Sequence, residues 1–88
     1  MILKVFAILD KKALFYGAPV CFHNKAEALR GLAEHVSDPN SLVSKYPADF
    51  SIWLIAEYNQ QTGVMTPVNK PEFLEEASNL LKKELKNG

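Results

Sequence analysis

Phe50-Ser-Ile-Trp-Leu-Ile-Ala-Glu-Tyr-Asn-Gln-Gln-Thr-Gly-Val-Met-Thr-Pro-Val68 is the stretch on which the fold turns. Its first half alternates. Phe50, Ile52, Leu54, Ala56 and Tyr58 fall on one side of an extended chain; Ser51, Trp53, Ile55 and Glu57 fall on the other. β-Branched and aromatic residues dominate both sets, so residues 50–58 read as a strand. Asn59 to Gly63 is a polar turn. Val64 to Val68 is a short last strand with Pro67 near its end. Two strands joined by so short a turn make a hairpin.

Upstream, residues 41–49 read as a loop. Pro47 biases Tyr46 away from helix. Before it, Asn24 to Val36 reads as a helix, with Asn24 as N-cap and Glu27 three residues on. Leu29, Leu32, Ala33 and Val36 form one face of that helix. Asp38, Pro39, Asn40 and Ser41 stop it. At the start of the chain, Ile2 to Leu9 reads as a strand, Asp10 to Ala13 as a turn, and Leu14 to Phe22 as a second strand. Gly17 and Pro19 interrupt this second strand, which places it at an edge or gives it a bulge. Downstream, Pro71 suits the first turn of a helix over 71–86. Phe73, Leu74, Ala77, Leu80, Leu81 and Leu85 form its apolar stripe. Glu72, Glu75 and Glu76 come early and Lys82, Lys83 and Lys86 late, as the helix dipole favours.

The resulting order is ββαββα. It predicts an α+β single domain over 1–88: an antiparallel four-stranded sheet with both helices on one face. The opposite face is expected to present Ile2, Lys4, Phe6 and Ile8 from the first strand with Trp53 and Ile55 from the third. Both faces of the first strand are apolar, which predicts a sheet covered on both sides. Two helices cover one side only, so a second copy of the chain, in a homodimer, is the expected second cover.

Composition narrows the function. The 88 residues carry ten Lys and Arg against ten Asp and Glu. Such neutrality argues against a sequence-blind DNA coat, because phosphate binding rests on basic charge. The single cysteine, Cys21, forms no internal disulfide, and no Cys/His cluster is spaced for zinc. A lone thiol fits a reducing compartment. Met1 to Leu9 is too short to span a bilayer and meets Asp10, Lys11 and Lys12 at once. It also lacks the pattern of a signal peptide. No membrane association is expected.

Catalytic chemistry finds little support. His23 and His35 would need a carboxylate or nucleophile beside them to act as base or metal ligand. The commoner reading is a surface histidine and a helix C-terminal cation. Cys21 reads as a structural thiol. Glu72, Glu75 and Glu76 read as a solvated helix start rather than a metal site. Gln60 to Gly63 lacks the glycines and lysine of a phosphate loop. No cofactor, metal or enzymatic activity is therefore expected. One set remains suggestive: Phe6, Phe15, Tyr46 and Trp53 with Lys4, Lys11, Lys12, Arg30 and Lys45. Aromatic residues on a sheet face with cations at its rim stack bases and hold phosphates. The competing reading makes the aromatics core or dimer interface and the lysines ordinary surface.

Three segments extend the argument: "LKVFAILD" (Leu3 to Asp10), "EALRGLAEHVSDPNSLVSKYPADF" (Glu27 to Phe50) and "IAEYNQQTGVM" (Ile55 to Met65). In that order they resemble the small nonstructural protein of gokushovirus-type microviruses, phages with single-stranded DNA genomes. The likeness runs over about residues 2–68. The hairpin is less acidic than the family's, and Tyr46 stands where the family has histidine. The resemblance implies a nonenzymatic protein made in the host cell cytoplasm and absent from the virion. Family members are likened to the small protein C of coliphage microviruses, which acts at the switch from duplex replication to single-strand synthesis and packaging. The resemblance thus implies action by binding: to single-stranded DNA, or to a viral or host replication protein. The expected nucleic-acid-binding residues are Lys4, Phe6, Lys11, Lys12, Arg30, Lys45, Tyr46 and Trp53. The loop before the central strand either sets that strand's register through Asp38 and Asp49, or presents Lys45 and Tyr46 for recognition.

Overall fold

The computed structural model describes residues 1–81. It is α+β. Strand β1 covers Ile2–Asp10, β2 Phe15–Tyr16 and β3 Val20–Phe22. Helix α1 spans Lys25–Ser37 and a short α2 spans Leu42–Lys45. Strands β4, Phe50–Asn59, and β5, Met65–Glu76, follow, and a further helix begins at residue 77. All pairings are antiparallel: β1 lies between β4 and the short pieces β2 and β3, and β5 lies outside β4.

The second strand breaks where Gly17 and Pro19 interrupt it. Its two pieces both pair with β1 at the sheet edge, where proline's missing N–H costs no ladder bond. The hairpin between β4 and β5 closes on Asn59, whose Oδ1 accepts the amides of Gln61 and Thr62. Gly63 follows at φ 75°, a left-handed conformation that a side chain would strain.

Helix α1 begins as its sequence predicts. The Asn24 side chain accepts the Glu27 amide at 2.9 Å. The Glu27 carboxylate reaches back to His23, accepting its backbone N–H at 3.1 Å and contacting Nδ1 at 3.0 Å. These bonds, the side-chain one foremost, hold the Glu27 carboxyl below its usual value of 4.5. The folded value lies below the unfolded one, so the contribution is present above about pH 4.5 and is lost as pH falls through the folded value. We expect the stability difference between wild type and Glu27→Gln, measured by denaturant unfolding, to shrink below that pH. A difference that is constant from pH 7 to pH 3 would contradict the capping role.

The core lies between one sheet face and the helices. Phe6 from β1 and Phe50, Ile52 and Leu54 from β4 pack with Ala28, Leu32, Ala33 and Val36 of α1. Val43 of α2, and Ala77 and Leu80 of the last helix, join them. Helices thus cover one face, as the order of elements predicts.

Three expectations are corrected. Residues 41–49 are not all loop. Ser41 caps a short helix by accepting the Val43 amide, and Pro47–Asp49 forms a 3₁₀ turn. Second, residues 71–76 extend β5 rather than opening a helix. β5 is an edge strand, which tolerates Pro71, and Trp53↔Phe73 and Ser51↔Glu76 pair across to β4. The early glutamates take other work: Glu76 binds Lys11, and Glu75 accepts the Glu76 amide and the Asn79 side chain where the helix begins. Residues 82–86 of the expected helix lie outside the described residues.

Third, the faces of β1 are the reverse of expectation. Phe6 pairs with Leu54 and Ile8 with Ile52, on the helix-covered face. Leu3, Val5, Ala7 and Leu9 lie with Trp53 on the other. Ile55 is the extra residue of a bulge in β4, opposite the Val5/Phe6 step. The bulge flips the alternation, so Ala56 and Tyr58 join Trp53 instead of Leu54.

Candidate functional site

The second sheet face is centred on Trp53. Its neighbours across the ladder are Ala7 on β1 and Phe73 on β5. Ala7 is small, which leaves room for the indole beside it. The Phe73 ring meets the indole edge-on, at 5.6 Å between centroids and 77° between planes. Such T-shaped pairs are worth about 0.5–1.5 kcal/mol beyond the area they bury. The indole Nε1 donates to Ser51 Oγ at 2.8 Å, two residues along the same strand face, and satisfies that buried hydroxyl. Trp53 is thereby fixed at both ends, half-buried, with Phe73 exposed beside it.

Tyr58 and Met65 continue the face toward the hairpin turn, and Leu9 and Tyr16 continue it the other way. Val5, Ala7, Ser51 and Ala56 are buried beneath these larger side chains, and none belongs to the cluster the helices cover. Among the described residues, no helical residue joins them.

The expected binding residues separate into groups. Trp53 lies on this open face. Phe6 has no exposed surface and sits in the helix-covered core, so it stacks on no base in this fold. Lys4 is half-buried on the helix side and approaches Glu57 at 3.7 Å. Lys11 binds Glu76 at 2.7 Å. Lys12 is exposed in the turn after β1. The backbone of that turn joins the 3₁₀ turn, with the Lys11 amide donating to the Asp49 carbonyl at 2.9 Å. Lys45 and Tyr46 immediately precede the 3₁₀ turn, both exposed. The fold therefore brings Lys11, Lys12, Lys45 and Tyr46 toward one end of the sheet. Lys4 lies seven residues up β1, roughly 23 Å away at ~3.3 Å per residue. Arg30 is exposed on α1, one turn beyond Glu27.

Sequence reasoning missed Phe73, Tyr58 and Tyr16 as members of the face. Phe73 fits a helical stripe as well as a strand, and only its pairing with Trp53 decides. His23 is engaged by Glu27, and Cys21 is exposed opposite Val5. Among the described residues, no group of three His, Cys, Asp or Glu side chains gathers to hold a metal, and no helix is long and apolar enough to cross a membrane.

A family model described as Phage ORF5 protein matches residues 3–80. The chain belongs to that family. Searches of curated proteins and of solved structures give no match. The match to this phage family runs through both edges of the sheet, both hairpins and α1, and it includes Trp53 and Phe73.

Proposed function

We propose that this Phage ORF5 family protein is a nonenzymatic binding protein that holds single-stranded DNA against its Trp53–Phe73 face. Its place is the host cell cytoplasm, at the switch from duplex replication to single-strand genome synthesis and packaging. The observation that carries the reading is a fixed aromatic pair on a sheet face without a helix among the described residues. Bases stack on such platforms whatever their sequence. Lys12 and Lys45, toward one end of the sheet, supply cations for phosphates. The step in the phage cycle comes from the likeness to gokushovirus nonstructural proteins.

A second reading has its own support. Net charge is zero, and two of the expected phosphate contacts, Lys4 and Lys11, are already engaged by glutamates. The same face, with exposed Phe73, Met65 and Tyr16, would then dock a viral or host replication protein, or a second copy in a homodimer.

Anisotropy of labelled single-stranded and duplex DNA, titrated at two salt concentrations, separates the two. Micromolar or tighter binding that prefers single strands and weakens with salt is expected. A well-folded protein that binds neither DNA overturns the first reading. Light scattering on the same sample then reports whether a second copy covers the face.

A further inference from the structure

A concavity lies on the helix side, between the β2–β3 edge of the sheet and helices α1 and α2. It is open to solvent on one side and has a volume of about 570 Å³. That volume lies within the range of small-ligand sites. Phe15, Phe22 and Phe50 give it three aromatic walls, and Leu32 and Val43 line its depth. Asp10 and His35 are the ionisable side chains in the lining.

The aromatic wall has a structural cause. Phe22 lies so close to α1 that a Cβ on Gly31 would come within 2.6 Å of its Cε1. Glycine there lets the ring lie against the helix, where it forms part of the lining. The turn leading into Phe15 is built at a cost. Leu14 adopts φ 63°, unfavourable for a leucine, and is 81% exposed. Phe15 and Leu42 line the site yet are 61% and 63% exposed. Among the described residues, packing leaves all three of these side chains largely exposed. Two cations neighbour the lining along the chain: Lys12, whose amide donates to the Asp10 side chain, and Lys45, at the other end of α2 from Leu42.

We infer that this pocket receives one unstacked base of a bound single strand, with Lys12 and Lys45 on the adjoining phosphates. The inference rests on the nucleic-acid reading above. β2 connects the two surfaces. Phe15 lines the pocket, while Tyr16, the next residue, pairs with Leu9 on the Trp53 face. A strand crossing this edge meets both.

The test fills the pocket from its exposed rim with Ala18→Trp and, independently, Leu42→Trp. Oligothymidylate binding is read by anisotropy, folding by circular dichroism, and pocket access by the fluorescence of anilinonaphthalene sulfonate. Stacking of one base is worth ~1–3 kcal/mol, so each folded variant is expected to bind about tenfold more weakly and to lose dye fluorescence. Wild-type protein that does not bind oligothymidylate overturns both this inference and the sheet-face reading. Undiminished DNA binding by both variants overturns the pocket alone. Loss of dye without loss of DNA assigns the pocket to another apolar ligand and likewise overturns the inference.

Discussion

Phe6→Ala is expected to cost about 4 kcal/mol of folding stability while leaving the DNA affinity of the folded fraction unchanged. Phe6 has no exposed surface. It pairs with Leu54 on one side and Val20 on the other, and its ring lies 6.1 Å from that of Phe22 at 58°. Truncation therefore removes buried apolar area and opens a cavity where sheet and α1 meet. Total stabilities of about 5–15 kcal/mol are usual for small domains, so the loss takes a large share of the total while leaving a folded fraction to assay. Phe6→Leu keeps most of the volume and is expected to cost below about 1.5 kcal/mol. Urea unfolding of the three proteins makes the check. A cost under about 1 kcal/mol for alanine would place Phe6 outside the core and restore it as a stacking residue.

Trp53→Ala is expected to weaken single-stranded DNA binding by roughly 10- to 100-fold, since one aromatic platform is worth ~1–3 kcal/mol per base. Stability should fall too, because Ser51, 1% exposed, loses the donor its hydroxyl accepts from. Trp53→Phe separates the effects. It keeps a ring against Phe73 and discards the Nε1–H, so stability should drop by about 1 kcal/mol while DNA affinity stays within a few-fold. Equal affinity in wild type and Trp53→Ala would remove the sheet face from any DNA-binding role. The cations give an orthogonal readout. Lys12→Ala with Lys45→Ala should flatten the salt dependence by about 1.4 in log–log slope, ~0.7 for each single-strand phosphate contact. Lys4, far up β1 and close to Glu57, should leave that slope unaltered when replaced.

Local signals in the sequence were sufficient wherever the deciding interaction is itself local. Asn24 and Glu27 mark the start of α1 because the bonds they make span three or four residues. Asn59 and Gly63 fix the second hairpin for the same reason. Gly17 and Pro19 break the second strand because proline lacks an N–H. Leu32, Ala33 and Val36 face the core because helical periodicity leaves them no other side. Trp53 was identifiable as a member of the second face from alternation with Ile52 and Leu54.

The sequence by itself thus determined an α+β chain with two hairpins, a capped helix and a sheet covered by helices on one face. Tertiary structure alone decided which residues of β1 point inward, because both its faces are apolar and only the Phe6↔Leu54 pairing beneath α1 distinguishes them. It alone decided that residues 71–76 are strand, because the helical pattern there is opposed by cross-strand partners twenty residues away in sequence. It alone flipped the face of Ala56 and Tyr58, through a bulge that alternation does not announce. The candidate site depends on all three: Trp53 meets Phe73, and Phe6 leaves the site for the core, through long-range pairings whose energy no local stretch of the chain carries.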